Sequence, residues 1–388
     1  MDMFIKMVSQ TGFANFTSID NLIMLIIGGV AIYLAIVKKY EPLLLLPIGF
    51  GVIAGNIPYA HGLPIGVYDT AEAIGSTQSS VFSYFYAGVT NGLFPPLIFL
   101  GIGALTDFSA LISSPKSLLL GAAAQFGIFA TFLGALALGF TGQQSAAIGI
   151  IGGADGPTSI FIASMLAPEI LGPIAIAAYS YMALVPVIQP PFMKILTTEK
   201  EKRIRMKPSR RVTKTEKIIF PIMAFILSAL IAPGSITLVG MFMLGNLCKE
   251  SGVTERLAKT AGNALLDSAT VILSFSVGLS TQANVFLTKE SLMIFGLGLA
   301  SFCVATASGL IFAKVMNLFL KEKINPLIGA AGVSAVPDSA RVVHHFALHY
   351  DKTNHLLMHA MAPNVAGVIG SAIAAGVFIT TYSSVGIG

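Results

Sequence analysis

An acidic residue lies among glycines and a proline in the apolar segment Gly149–Ser159, which reads GIIGGADGPTS. A helix cannot run undisturbed through these glycines and Pro157. Broken backbone at membrane depth is tolerated only where it is buried in protein or lines a polar cavity. Its free carbonyl groups, the carboxylate of Asp155 and the hydroxyl groups of Thr158 and Ser159 are the hard oxygen ligands that a small cation prefers. We therefore predict a cation site at Asp155, with Thr158 as a further ligand.

The same pattern also has a purely structural interpretation. Asp155 could cap a helix that begins at Pro157, which is favourable in its own right. We favour the cation site because an acid at membrane depth is costly and is functional by default.

A second apolar segment, Asn325–Arg341, is likewise broken by glycines and bounded by prolines. Ala335 replaces the central acid of the first segment, and Arg341 ends the segment. A guanidinium group can hold a planar carboxylate through two parallel hydrogen bonds, and Ser334 could add a polar contact. The segment predicts a carboxylate site around Arg341 and Asn325. The alternative is that Arg341 is only one of the cationic residues that orient the chain in the membrane.

Three further polar residues are candidates. Tyr181 precedes a proline kink at Pro186, where a phenol could ligate a cation or exchange a proton, or lie at the interface as an ordinary tyrosine. Asn364 could contact a substrate or bridge helices. Asp107 is a weaker candidate for a cation ligand.

The composition indicates which kind of fold must position these residues. Of the 388 residues, 55% are hydrophobic and 11% are charged, and the mean hydropathy is +0.82. Soluble domains carry about 25% charged residues. Many apolar windows approach the ~20 residues that span a bilayer as a helix. We predict an all-α, polytopic protein of the cell (inner) membrane.

The charge pattern predicts how the chain crosses the membrane. The net charge is +5, but 10 of the 23 basic residues lie between Lys194 and Lys217, so this stretch orients the chain and does not indicate a nucleic-acid partner. With this stretch in the cytoplasm, the chain is outside at Thr141 and again at Leu171. The segment of residues 145–166 therefore enters the membrane from outside and returns.

An offset of 180 residues aligns the two broken segments. It pairs Ile148, Gly149, Gly152, Pro157 and Ser159 with Ile328, Gly329, Gly332, Pro337 and Ser339. With short insertions, Gly55–Asn56 pairs with Gly245–Asn246, and Thr106 with Thr281. The first half starts outside and the second starts in the cytoplasm, so the halves are predicted to be inverted copies.

This organisation is typical of secondary transporters, whose ion and substrate sites lie where the two repeats meet. We predict about five transmembrane helices and one re-entrant segment in each repeat. The predicted parts are residues 1–193 with the re-entrant segment 145–166, a basic cytoplasmic linker at 194–216, and residues 217–388 with the re-entrant segment 325–347.

Over nearly its whole length, the chain resembles the beta subunits of sodium-pumping, biotin-dependent oxaloacetate, methylmalonyl-CoA and glutaconyl-CoA decarboxylases. The resemblance is carried by GGADGPT at 152–158, by NPLIG at 325–329 through Ser334 to Arg341, and by PNVAG at 363–367.

The resemblance implies that carboxybiotin on a partner subunit is decarboxylated while sodium moves outward and a proton is consumed. It implies sodium ligation by Asp155, with Tyr181 coupling the ion to the proton, and a second site near carboxybiotin. The residues of that site are Asn325, Gly329, Ser334, Arg341 and Asn364, and Thr158 and Ser334 join the sodium ligands. The partners implied are a carboxyltransferase alpha subunit, a biotin carrier protein and small membrane-anchoring subunits, with a homo-oligomer as a further possibility.

A different class of function is compatible with the same pattern. A cation-coupled secondary carboxylate transporter would use the inverted repeat and the two broken segments without breaking any bond. A biotinylated partner would distinguish the decarboxylase from this alternative.

Overall fold

The computed structural model describes residues 8–9, 11–16, 18–58 and 80–383. These residues form helices joined by short connections, and no strand occurs among them. Five helices are long and apolar enough to cross a membrane, and there are seven candidates if each of two bent pairs counts as one span. The all-α, polytopic membrane architecture predicted from composition is confirmed.

The first half of the chain contains two bent pairs. The pair Val81–Thr90 and Phe94–Leu105 bends by 69° before Pro95–Pro96, and the pair Pro168–Ala183 and Val185–Leu196 bends by 60° before Pro186. Proline explains both bends because it lacks the N–H that would continue the helical ladder. The helices are α1 (Ile19–Val37), α2 (Pro42–Asn56), α3 (Val81–Thr90), α4 (Phe94–Leu105), α5 (Ser109–Ser113), α6 (Ser117–Ala124), α7 (Phe126–Ala137), α8 (Gly142–Ile150), α9 (Gly156–Leu166), α10 (Leu171–Ala183) and α11 (Val185–Leu196).

The second half follows the basic linker and contains longer uninterrupted helices. Its broken segment begins with a 3₁₀ helix, Pro326–Gly332, and continues into the helix Asp338–Tyr350. The helices are α12 (Glu199–Lys202), α13 (Lys214–Ile231), α14 (Ile236–Glu250), α15 (Glu255–Thr260), α16 (Leu266–Ser280), α17 (Ala283–Phe286), α18 (Lys289–Phe319), α19 (Asp338–Tyr350) and α20 (Leu357–Ser383).

The two halves of the chain contact each other through two similar pairs of helices. Helix α2 packs on α16, and α4 packs on α14. Asn56 donates from Nδ2 to the carbonyl oxygen of Thr281 at 2.8 Å, and Asn246 donates in the same way to that of Thr106, also at 2.8 Å. The sequence alignment had paired these two asparagines and these two threonines. The inverted repeat remains a prediction, and these matched contacts support it.

Both broken segments lie inside the helical bundle. Helices α8 and α9 pack against α7 and α20, while the 3₁₀ helix Pro326–Gly332 packs against α18, α20 and α6. All residues of that 3₁₀ helix and nearly all residues of α9 are buried. Broken backbone is therefore enclosed by protein, which is the condition under which it is stable at membrane depth.

Candidate functional site

The tips of the two broken segments touch each other. The backbone N–H of Ser334 donates to the carbonyl oxygen of Gly153 at 2.8 Å. Gly153 ends the short 3₁₀ turn after α8, and Ser334 follows the 3₁₀ helix of the second segment. This bond places the second segment directly beside the turn that leads to Asp155.

Local backbone geometry fixes the position of Asp155. Ala154 has a φ of 55°, in the left-handed region that costs a non-glycine residue about 1–2 kcal/mol. Asp155 then caps α9, because its Oδ1 accepts from the N–H of Thr158 at 3.1 Å. Its Oδ2 accepts from the Ser371 hydroxyl at 2.7 Å. Both carboxylate oxygens are thus held, and capping does not exclude a further ligand at this carboxylate, which has about four lone-pair positions.

The Asp155 carboxylate has no basic partner among the described residues. Asp155 is 6% exposed, and none of the ion pairs found in the described part of the chain includes it. A buried charge without a counter-charge is strongly unfavourable. A bound cation would remove that cost.

Two hydroxyl groups near this carboxylate lack partners. The Oγ1 of Thr158 and the Oγ of Ser334 are buried and have no hydrogen-bond partner. Across the described residues, no cluster of three or more His, Cys, Asp and Glu side chains could hold a metal ion. A single carboxylate with neutral oxygens suits a monovalent cation, because one negative charge balances one positive charge.

A cavity of about 470 Å³ leads to this carboxylate. Its lining includes Asp155, Ser334 and Asp107. The side chain of Asp107 is 50% exposed and pairs with Lys217 at 3.4 Å. The cavity therefore extends from the buried acid to the end of the bundle that the charge pattern assigns to the cytoplasm.

A second cavity, of about 420 Å³, contains Arg341. It is also lined by Glu41 and Asp338. Arg341 approaches the Oδ1 of Asp338 with its Nη1 at 3.4 Å, and its side chain is 61% exposed. Burial raises the pKa of Glu41 to about 8. The hydrogen bond that protonated Glu41 donates to Asp338 and the charge of Asp338 add to the rise, and the charge of Arg341 opposes it. Three residues line both cavities, namely Met182, Val336 and Pro337.

Side chains from other helices donate hydrogen bonds to the free carbonyl groups of the second broken segment. The Nδ2 of Asn364 lies 3.1, 2.8 and 3.2 Å from the carbonyl oxygens of Ala331, Val333 and Ala335. The Nε2 of Gln189 donates to the carbonyl oxygen of Ala330 at 2.8 Å. These contacts replace the backbone hydrogen bonds that a regular helix would supply.

Residues 20–382 match the protein family described as the beta subunit of Na⁺-transporting oxaloacetate decarboxylase. The chain belongs to this family of sodium-transporting decarboxylase beta subunits. Because the match covers almost the entire chain, the family resemblance noted from the motifs is confirmed. The chain is a membrane-embedded subunit of a sodium-translocating decarboxylase.

Relatives with three different names show similar degrees of identity. The chain is 53% identical over 385 residues to the methylmalonyl-CoA decarboxylase subunit beta of Propionigenium modestum, covering 96% of this chain and 97% of the relative. It is 50% identical to the glutaconyl-CoA decarboxylase subunit beta of Acidaminococcus fermentans, covering 98% of each. It is also 50% identical to the oxaloacetate decarboxylase beta chain of Klebsiella pneumoniae, covering 92% of this chain and 94% of the relative.

The structure brings only some of the predicted site residues of this decarboxylase subunit together. Asp155 and Ser334 line one cavity, and Thr158 is bonded to Asp155. Asn325 lies elsewhere, since its Nδ2 donates to the carbonyl oxygens of Lys202 and Ile204 in the basic linker at 3.1 and 2.8 Å. Asn325 therefore anchors the start of the second segment to the linker.

Gly329 and Asn364 also contact protein and not the Arg341 cavity. A β-carbon on Gly329 would lie 2.1 Å from the carbonyl oxygen of Gly309, so this close approach to α18 requires glycine. Asn364 supports the carbonyl groups described above. Their predicted roles at a carboxybiotin site stay predictions, and the structure gives each of them a packing role.

The two tyrosines of α10 have different surroundings. The hydroxyl of Tyr181 donates to the carbonyl oxygen of Phe295 in α18. Tyr179 is fully buried, and its hydroxyl has no hydrogen-bond partner. A β-carbon on Gly156 would lie 2.1 Å from the ring of Tyr179, so Tyr179 packs against the residue that follows Asp155. The predicted coupling role of Tyr181 stays a prediction.

Sequence reasoning missed two residues at these sites. Ser371, which binds the carboxylate of Asp155, lies seven positions after Asn364 in α20, so the two share a helix face, and that spacing could have revealed it. Glu41 precedes Pro42 at a helix start, which resembles an ordinary capping residue, and no local signal places it near Arg341.

Proposed function

We propose that this chain couples the decarboxylation of carboxybiotin to the outward transport of sodium across the cell membrane. In this proposal carboxybiotin is carried by a biotin carrier protein. A carboxyltransferase alpha subunit and small membrane-anchoring subunits complete the assembly. The observation that supports it best is the buried, uncompensated carboxylate of Asp155, in a cavity whose wall contains Ser334 of the other broken segment.

The proposed sodium site uses the oxygens around Asp155. The carboxylate supplies the balancing charge, and the unpartnered hydroxyls of Thr158 and Ser334 supply neutral ligands. The hydroxyl of Ser371 holds the carboxylate in place. Sodium would reach this site through the cavity that passes Asp107.

The proposed carboxylate site uses Arg341. In the structure Arg341 contacts Asp338 through one nitrogen at a distance of 3.4 Å, so the contact is weak and most of the guanidinium fork is free. A carboxylate held bidentately at Arg341 would form stronger, charge-assisted hydrogen bonds. Carboxybiotin entering from the cytoplasmic end would therefore displace Asp338.

Decarboxylation itself needs no protein nucleophile. The bond between the ureido nitrogen of biotin and the carboxyl carbon breaks, carbon dioxide leaves, and the nitrogen takes up one proton. Removal of the carboxylate from water favours this step because the charged form loses its solvation. The work of this chain is to couple that loss of charge to movement of the ion.

The bond between Ser334 and Gly153 offers a direct link for this coupling. Arg341 lies at the end of the segment that contains Ser334, and Gly153 lies two residues before Asp155. Loss of the carboxylate from Arg341 would change the position of the second segment and thereby the wall of the cation site. A ligand shifts a conformational equilibrium only through such differential contacts.

Membership of the decarboxylase family favours this proposal over a secondary carboxylate transporter. The decisive experiment uses the complete complex reconstituted into proteoliposomes, with decarboxylation of added carboxybiotin and uptake of ²²Na⁺ measured together. Sodium-dependent decarboxylation with ion uptake into inverted vesicles is expected. Decarboxylation that is independent of sodium, or sodium uptake without carbon dioxide release, would contradict the proposal.

A further inference from the structure

Gln125 is a buried polar residue that the proposed mechanism has not used. It is 5% exposed and lies near the middle of the 21-residue candidate span Ser117–Ala137. It also interrupts that span, since α6 ends at Ala124 and α7 begins at Phe126. An amide side chain at this depth needs partners for all of its polar atoms.

The donor atoms of this amide are fully used. The Nε2 of Gln125 donates to the carbonyl oxygen of Gly121 at 3.0 Å and to that of Gly367 at 3.3 Å. These two bonds use both amide hydrogens and fix which way the amide faces. The Oε1 is buried and has no hydrogen-bond partner.

The unpartnered oxygen faces the turn that holds Asp155. A β-carbon on Gly153 would lie 3.6 Å from the Oε1 of Gln125 and 3.2 Å from the Cβ of Ser371. Ser371 in turn donates to the Oδ2 of Asp155 at 2.7 Å. The amide oxygen, the Ser371 hydroxyl and the carboxylate are therefore neighbours around one short turn.

This arrangement is incomplete without a positive group. Two acceptors, the amide oxygen and the carboxylate, lie beside the same turn, and the Ser371 hydroxyl has a single hydrogen, for which the Oδ2 of Asp155 at 2.7 Å and the carbonyl oxygen of Val368 at 3.0 Å compete. A buried acceptor without a donor is unfavourable because it has lost its hydrogen bonds to water. A small cation near Gly153 would satisfy both acceptors at once.

We propose that the Gln125 amide oxygen is a further ligand of the cation bound at Asp155. This inference rests on the cation site proposed above and adds a neutral oxygen on the side of Ser371. A ligand held by two hydrogen bonds has a fixed position, so it also contributes to selection of sodium over the larger potassium ion. The number, charge and rigidity of the oxygen ligands set such preferences.

Gln189 provides a matched control within the same chain. It is also fully buried, its Nε2 donates to the Ala330 carbonyl, and its Oε1 has no partner. It contacts the second broken segment and not the turn before Asp155. Gln189→Met therefore removes a similar buried amide without touching the proposed cation ligands.

The test measures, in the purified complex, the sodium concentration for half-maximal decarboxylase activity and the midpoint of thermal unfolding at several sodium concentrations. Gln125→Met should raise the half-maximal sodium concentration roughly tenfold, the effect of losing one ligand contact of about 1.4 kcal/mol. It should also reduce the rise in the unfolding midpoint that sodium causes, and reduce the preference for sodium over potassium. Gln189→Met removes no proposed sodium ligand and acts only through the second broken segment, so it should raise the half-maximal sodium concentration far less and leave the preference for sodium over potassium unchanged.

An unchanged sodium response in Gln125→Met, or an equal change in both variants, would overturn the inference and point to an ordered water beside Gln125. If Gln125→Met does not fold, Gln125→Glu keeps an oxygen and adds a charge, and an unchanged half-maximal sodium concentration there would equally overturn it. Asp155→Asn separates the two proposals. A normal sodium response in Asp155→Asn would contradict the proposed cation site as a whole. Loss of the sodium response in Asp155→Asn, together with a normal sodium response in Gln125→Met, would contradict only the ligand role of Gln125.

Discussion

The two broken segments differ in how they satisfy their own backbone. The first, residues 145–166, is mostly helical, and Asp155 caps its second helix. The second has a 3₁₀ helix followed by irregular backbone at residues 333–337, and its carbonyl groups depend on Asn364 and Gln189 from other helices. The first segment can therefore hold its shape from local contacts, while the second takes its shape from its neighbours.

This difference suggests a division of roles. A charged cation site needs ligands at fixed positions, and the first segment holds its acid through a cap and a hydroxyl. A segment that depends on contacts from other helices moves when those contacts change. We therefore assign ion binding to the first segment and the response to substrate to the second, and the predictions below test that assignment.

The largest expected contrast is the side of the membrane from which the two broken segments can be labelled, because each position is accessible from one side only. With Cys248 and Cys303 replaced, a single cysteine at Gln143 should react with an impermeant thiol reagent from outside. A single cysteine at His345 should react only from the cytoplasm, because the basic linker fixes that side.

Cysteines at Pro168 and Lys323 complete this labelling experiment. Pro168 should behave like Gln143, and Lys323 like His345. If Gln143 and Pro168 reacted from opposite faces, the first segment would be a true span and the comparison would fail.

Asp155→Asn should have the largest effect on function. It keeps the size of the side chain but removes the charge that balances the ion. We expect sodium activation of decarboxylation to weaken by at least ~100-fold, since removing one partner of a buried ion pair costs about 3–5 kcal/mol. Asp107→Asn, at the exposed end of the same cavity, is the control and should change sodium activation far less.

Asn364→Asp should destabilise the second segment. The substitution replaces an amide donor that faces three carbonyl oxygens by an acceptor. We expect a loss of about 2 kcal/mol or more in the free energy of unfolding, measured as a lower midpoint of thermal unfolding in detergent. Asn263→Asp, at an exposed asparagine with one helical contact, should leave the midpoint nearly unchanged. Equal effects of the two substitutions would show that the second segment does not depend on Asn364.

Arg341→Lys should affect the substrate and not the ion. Lysine keeps the charge but cannot form two parallel hydrogen bonds with a carboxylate. We expect the KM for carboxybiotin to rise roughly tenfold, as for the loss of one such contact, with the half-maximal sodium concentration unchanged. Arg256→Lys, at an exposed position, should change neither value. A KM unaffected by Arg341→Lys would favour a role in membrane orientation alone.

The smallest effect should be a pH dependence that originates at Glu41. Its pKa of about 8 means that it is protonated below that pH and becomes a second carboxylate beside Asp338 above it. The groups facing it are Lys39 and Tyr40 on its own loop, Asp338 and Arg341 on the second segment, and Tyr179 of α10.

Ionisation of Glu41 should repel an anionic substrate and destabilise the folded protein. The KM for carboxybiotin should therefore rise a few-fold between about pH 7 and 9. The unfolding midpoint should fall mainly between the unfolded pKa of 4.5 and the folded pKa of about 8, and level off above it. Glu41→Gln should reduce both changes, and Glu255→Gln, at an exposed glutamate, should retain them. Parallel pH profiles of the parent and Glu41→Gln would exclude Glu41 as the source.

The sequence by itself determined the fold class and the position of the backbone breaks. Apolar windows that approach membrane-spanning length predicted an all-α, polytopic membrane protein, and the described residues form such helices. The glycines and Pro157 predicted the break that contains Asp155, because proline and glycine act on the residues next to them. An acid in such a break could be proposed as a site without any knowledge of packing.

Only the tertiary structure decided which side chains surround that acid. Ser371 and Gln125 reach the turn of Asp155 from helices far away in the chain, and Glu41 reaches Arg341 across the bundle. Asn325, which lies near Arg341 in the sequence, bonds instead to the basic linker. Local chemistry sets where a helix ends, but the neighbours of a buried side chain depend on how distant helices cross, and no local pattern in the chain records that crossing.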